Sequence, residues 1–182
     1  MLKIPHIFKF ISLLGFFTLS SCVKDVDIDQ AEEIFIPPEV AVDLVYSTLS
    51  PSHFSNSVPS APLVVSDTTR LDFLDDDYIK NSLVRAELNF KYTNTFPQAF
   101  TSTISFLSEN NSKKYSFEIQ IPAGSAASPQ IVDHIEIIEG SAIKAIRKSI
   151  KLSIKVEMHP NTSPVSGELQ LKSKGFFKFE FK

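Results

Sequence analysis

Val84-Arg85-Ala86-Glu87-Leu88-Asn89-Phe90-Lys91-Tyr92 decides the fold class of this 182-residue chain. An apolar side chain falls on every second residue, and Arg85, Glu87, Asn89 and Lys91 fill the positions between. Strict alternation sends one set to a core and the other to water, as in a half-buried antiparallel strand. Tyr115, Phe117, Ile119 and Ile121 repeat the pattern, as do Ile150, Leu152, Ile154, Val156 and Met158. Phe177, Phe179 and Phe181 close the chain with it. Fainter runs are Val40–Tyr46, Leu63–Val65, Arg70–Leu74, Thr101–Leu107 and Glu168–Lys172, for about nine strands. Turn residues separate them: Glu109-Asn110-Asn111-Ser112-Lys113, Pro160-Asn161-Thr162-Ser163-Pro164 and Lys174-Gly175. Short strands between such turns predict a sandwich or barrel. With 16 Phe and no Trp, the expectation is an all-β antiparallel sandwich over 40–182, immunoglobulin-like or jelly-roll-like.

One stretch carries two periods. Ile143, Ile146, Ile150 and Ile154 recur at helical spacing beside Lys144, Lys148, Lys151 and Lys155, as in a basic helix lying on a membrane. Residues 150–158 alternate throughout and are rich in β-branched types. The stretch therefore divides into a short helix over 141–148, begun by Ser141, and a strand from Ile150. An outer-membrane barrel is disfavoured, because its strands need about 9–11 residues and most runs here are shorter.

The N-terminus is of another kind. Ile7 to Thr18 is apolar apart from Lys9 and Ser12, Lys3 precedes it, and no acid occurs before Asp25. This reads as an export signal, too short for the roughly 20 residues that cross a bilayer. It ends in Leu19-Ser20-Ser21-Cys22, which closely resembles the lipobox of bacterial lipoproteins. The resemblance implies cleavage before Cys22 and a diacylglyceryl thioether on its sulfur, often with a further acyl chain such as palmitate. Buried methylenes contribute about 0.8 kcal/mol each, and stable anchoring takes more than one chain. Cys22 is the only cysteine, so no disulfide is available and the fold must rest on its apolar core.

Residues 22–39 hold six acids and one lysine and end near Pro37-Pro38. Repulsion and proline stiffness make them an extended tether, with a reach of about 55 Å at roughly 3.3 Å per residue. Lys24, Asp25 and Asp27 resemble the lysine-plus-acid export tag of surface lipoproteins in the Bacteroidota. Asp67-Thr68-Thr69 resembles the O-glycosylation sequon of that phylum, with Thr68 as acceptor. Together these features resemble the small lipoproteins of Bacteroidota. The resemblance rests on residues 1–29 and names no family for 40–182.

Chemistry is sparse. Asp72, Asp75, Asp76 and Asp77 could ligate calcium, but the EF-hand glycine and terminal glutamate are missing, and an acidic turn between two strands accounts for them better. His53, His134 and His159 lie far apart, without zinc-site spacing. Asp133-His134 suggests part of a triad, yet no Gly-x-Ser-x-Gly elbow is present. Glu118, Glu136 and Glu139 are the candidates for a glycosidase pair. No phosphate-binding glycine motif occurs. The chain has 18 Lys and Arg against 21 Asp and Glu, net −3. Losing Lys3 and Lys9 with the signal makes it −5, which argues against nucleic acid as partner. Charge is unevenly spread: residues 22–139 hold 18 acids and 7 bases, residues 140–182 hold 3 acids and 9 bases. Either the basic C-terminal strands pair beside acidic ones, or they form a basic patch for an anionic glycan or acidic protein.

The expected function is a lipid-anchored, non-catalytic binding or assembly module of the outer membrane, facing the cell surface or the periplasm. Its partners would be the membrane, through the anchor, and an envelope protein or glycan. No cofactor is expected beyond the lipid. The alternatives are an exported hydrolase with a cleft around His134 or Asp75–Asp77, and a calcium-stabilised adhesin-like domain.

Overall fold

A computed structural model describes residues 38–54 and 63–181. Eight strands dominate it: β1 (Glu39–Leu49), β2 (Leu63–Arg70), β3 (Leu83–Asn94), β4 (Ala99–Leu107), β5 (Lys113–Ile121), β6 (Gln130–Glu139), β7 (Lys151–His159) and β8 (Leu169–Phe179). Two short helices, α1 (Asp77–Ser82) and α2 (Ile143–Ile146), sit in the connections, with 3-10 turns at Pro51–Phe54 and Asp72–Leu74.

The strands form two antiparallel sheets, β1-β8-β3-β6 and β2-β7-β4-β5. Only β4 and β5 are neighbours both in sequence and in a sheet; every other connection passes between sheets. Two four-stranded sheets interleaved in this way make the jelly-roll form of the sandwich.

The alternation in β3 does what it promises. Ala86, Leu88, Phe90 and Tyr92 face inward and are fully buried or nearly so. They meet Phe100, Ile104 and Phe106 of β4, Leu152 of β7 and Phe177 of β8 in one core. Tyr92 and Ser102 share a buried 2.6 Å hydrogen bond between the sheets. Burial pushes the Tyr92 hydroxyl up to about 12, against the pull of that hydrogen bond.

The strand expectations need four corrections. Arg70–Leu74 is not a strand: β2 ends at Arg70 and the chain turns into a 3-10 helix, capped by Asp75 N–H donating to Asp72 O. Lys174-Gly175 is not a turn but the middle of β8. Gly175 is there for space, since a Cβ would stand 2.5 Å from the Phe177 ring. Helix α1 was not foreseen; Asp76 starts it by accepting from Ile79 N–H at 2.9 Å. Strand β6 was also missed. Its apolar Ile131, Ile135 and Ile137 point outward and are half or more exposed, while His134 and Glu136 sit on the inward positions, opposite Phe90 and Leu88. The short helix expected over 141–148 is present as α2, but it is confined to Ile143–Ile146 and Ser141 does not cap it: Ala142 is the N-cap, with no side-chain hydrogen bond.

Candidate functional site

The outer face of the β1-β8-β3-β6 sheet is read from its register as rows running across four strands. One row is Glu39, Lys178, Arg85 and Glu139. The next is Ala41, Phe176, Glu87 and Ile137. Then come Asp43, Lys174, Asn89 and Ile135, followed by Tyr46, Lys172, Lys91 and Asp133. Basic side chains thus gather on the two central strands, with acids mainly on the edges.

The two ends of this face differ. Arg85 is paired, 3.2 Å from Glu87 and 3.7 Å from Glu139. At the other end Lys91 and Lys172 stand directly opposite each other. Among the described residues Lys91 reaches only Asp133, at 4.0 Å. Among the described residues no carboxylate lies within 4.0 Å of Lys172 or Lys174. Lys174 instead lies over the Phe176 ring, 5.6 Å from its centre. Like charges facing each other across strands are unfavourable.

A shallow groove of about 370 Å³ runs over these rows. Tyr46, Lys172, Lys174, Lys91, Asn89 and Ile135 are among its lining. Asn89 contributes an unsatisfied group, because its Oδ1 is buried and accepts no hydrogen bond among the described residues. Buried amide oxygens are normally paired.

Tyr46 reaches this face through a bulge. Up to Asp43, the odd residues of β1 face outward. The register then slips by one, so that Asp43 pairs with Lys174 but Tyr46 with Lys172. Ser173 fixes the slip from the core side: its Oγ accepts from Val45 N–H and donates to Val45 O, each at 2.9 Å. A bulge re-aims a side chain at the cost of one unpaired residue; here it turns the Tyr46 ring outward beside Lys172.

Of the residues singled out from sequence, Asp133 and His134 also line this groove; the others lie elsewhere. Cys22, Lys24, Asp25 and Asp27 lie outside the described residues. Thr68 is exposed on edge strand β2, with its Oγ1 donating to Ser153 Oγ at 3.1 Å. The aspartates are spoken for. Arg70 binds Asp72 at 3.3 Å, Asp75 at 2.8 Å and Glu109 at 2.8 Å. The hydrogen bonds to Asp75 and Glu109 hold its guanidinium further in the charged form. Asp76 caps α1, and Asp77 pairs with Lys80 at 3.0 Å. Among the described residues no three His, Cys, Asp or Glu gather as a metal site.

The histidines do not converge. His53 Nδ1 accepts from Ser50 N–H at 3.0 Å, and His159 Nε2 bonds Thr101 Oγ1 at 2.7 Å. His134 sits at the open side of the sandwich, stacked on Phe117 and 3.2 Å from Glu136. Tyr115 of β5 donates to the same Glu136 carboxylate, tying the edges of the two sheets together. Burial, then Glu136, push the Tyr115 hydroxyl up to about 12. Of the glutamate candidates, Glu139 faces the outside of the first sheet. Glu118, opposite outward-facing Thr103, faces the outside of the second. They share no cleft with Glu136.

The groove was not foreseen. Alternation marks Asn89, Lys91 and Lys172 only as water-facing. Strand order makes them neighbours, and it is not written locally.

No protein-family model and no curated protein sequence matches the chain. Among solved structures it is similar to the VP2 subviral particle protein of infectious bursal disease virus, at 6% identity and a TM-score of 0.49; the match covers 79% of this chain and 33% of that one. A predicted secreted protein of Parabacteroides distasonis gives 16% identity and a TM-score of 0.45, over 65% of this chain and 38% of that one. Tailspike protein 4 of bacteriophage CBA120 gives 12% and 0.38, over 79% and 19%. The chain thus spans about a third of the first of these proteins. At such identities and scores the likeness says nothing of what the chain binds or does.

Proposed function

We propose that the protein is a lipid-anchored, non-catalytic binding module of the outer membrane, working through the outer face of its β1-β8-β3-β6 sheet on an envelope glycan or protein. The observation that carries this reading is the opposed Lys91–Lys172 pair beside the unsatisfied Asn89 oxygen in one groove. The lipobox-like Leu19-Ser20-Ser21-Cys22 supports attachment through Cys22, and the acidic stretch 22–39 supports a spacer that lets the sandwich stand off the membrane.

Two experiments test it. Cys22→Ala should abolish palmitate labelling and release the chain from the membrane fraction; continued labelling overturns the anchor. The full chain, in detergent, should be retained by isolated cell envelopes. Lys91→Glu with Lys172→Glu should lose that retention, and Lys155→Glu on the other sheet should keep it. Equal retention of all three overturns the assignment of the face.

A further inference from the structure

We propose that the groove takes an acidic saccharide, a run of sugar rings bearing carboxylates; this rests on the reading of that face as the binding surface. Three features of the groove make different demands. Lys172, with no carboxylate within 4.0 Å among the described residues, faces Lys91, whose one carboxylate is the groove-lining Asp133 at 4.0 Å; two ammonium groups against one acid leave room for a further negative group. Asn89 Oδ1 calls for a hydrogen-bond donor. Tyr46 and Ile135 flank the lysines and the amide from opposite sides, one from β1 and one from β6, both about 60% exposed. Exposed apolar area of this kind offers a surface on which the C–H face of a ring can pack.

A hydroxylated ring with a carboxylate meets all three demands at once. Its carboxylate lies between the lysine ammonium groups, a hydroxyl donates to Asn89, and its apolar face packs on Tyr46 or Ile135. A simple anion satisfies the lysines alone, and a neutral sugar leaves them unanswered. The volume, about 370 Å³, is at the small end for ligand sites and fits a short stretch of chain threading across the sheet. The Asn89 oxygen is buried, so a donor reaches it only when a neighbouring side chain moves. Its cross-strand neighbours are Lys174 and Ile135, and a lysine head can swing away onto the ligand on its flexible stem. The bulge that turns Tyr46 outward gives the groove its β1 wall.

The test is calorimetric titration of the full chain in mild detergent with a galacturonate hexamer. Cellohexaose, a glutamate hexapeptide and inorganic phosphate serve as comparison probes. The galacturonate hexamer should bind saturably, more weakly as salt is raised, and in preference to all three. Lys172→Ala and Lys91→Ala should each weaken binding about tenfold, the loss expected for one charge-assisted hydrogen bond. Asn89→Leu should weaken it several-fold with the melting curve unchanged, and Lys155→Ala should leave it alone. Equal binding of the glutamate peptide overturns the saccharide in favour of an acidic protein. Equal binding of phosphate reduces the groove to an anion site and also overturns it. If no probe binds while the Lys91→Glu, Lys172→Glu variant still loses envelope retention, the saccharide is wrong and the binding face stands. If retention is also unchanged, both fall.

Discussion

Strands β3 and β6 lie side by side in one sheet and obey opposite rules. β3 sends Ala86, Leu88, Phe90 and Tyr92 inward and its charges out. β6 sends Val132, His134, Glu136 and Ile138 inward and exposes Ile131, Ile135 and Ile137. A slip of one residue would flip β6 and bury the three isoleucines. Two things hold it as it is. β3 is clamped on both sides, by β6 and by β8, whereas β6 is an edge strand at the open side of the sandwich, where inward positions reach water. There Glu136 serves both Tyr115 and His134, so the polar residues facing in are satisfied. A central strand is governed by the core; an edge strand can spend its outer face on something else.

The largest expected effect tests the β3 half of that contrast. Leu88→Ala removes a side chain with no exposure and should cost about 2–5 kcal/mol of unfolding free energy, by transfer loss and cavity. Ile135→Ala, one strand away, should stay within about 0.5 kcal/mol. Chemical denaturation of both variants checks the pair; a loss above about 2 kcal/mol at Ile135 would mean β6 is buried in solution and its register wrong.

Alkaline pH probes the same contrast through two tyrosines. Tyr92 on β3 and Tyr115, bound to β6, are both held up to about 12, against about 10 in the unfolded chain. The folded state therefore keeps protons that the unfolded state releases. Stability is intact below about pH 10 and falls as pH rises toward 12. For buried Tyr92 the full loss is about 3 kcal/mol. Tyr115 is more open to solvent and should add a smaller part. Denaturation midpoints at pH 9 and pH 11.5 should differ in the native chain and differ less in Tyr92→Phe. A native chain with equal midpoints would contradict the buried phenol.

How far this was legible from sequence follows from the same two strands. β3 could be read because its pattern and its environment agree. β7 and most of β5 could be read for the same reason. β6 could not, because its apolar residues mark the wrong face, and only the Tyr115–Glu136–His134 contacts reveal why. Gly175 misled in a different way: it looks like a turn and is a space for the Phe177 ring. In the groove, Tyr46, Asn89, Lys91 and Lys172 were visible as polar or aromatic positions, whereas Ile135 lies on the unread strand β6. What joined them was the order β1-β8-β3-β6 and a one-residue bulge, both set by contacts distant in the chain.

The staple at the open side is a middle-sized term. Glu136→Leu leaves the Tyr115 hydroxyl and His134 without their acceptor. It should cost about 1 kcal/mol, since the group is partly wet and a hydrogen bond to a charged acceptor is discounted there. Tyr115→Phe in the same background should add little, because the interaction is already gone. A double-mutant cycle with additive losses would show that the two side chains act independently and that something else holds the β6 register.

The smallest expected effect on stability is the sharpest test of what β6 is for. Ile131→Ser and Ile135→Ser change equally exposed side chains, 57% and 59%, on one strand. Neither should move the melting curve, because neither loses buried contacts. Their consequences for binding should part. Ile135 lines the groove beside Asn89 and Lys91, so its loss should weaken a groove ligand. Ile131 lies two outward positions further along, opposite Thr93, and its loss should not. If both variants weaken binding alike, the contact surface is the whole isoleucine stripe, a flat protein–protein type of interface. If only Ile135 matters, the apolar exposure of β6 is local to the groove, and the inversion of its pattern serves as one wall of a site.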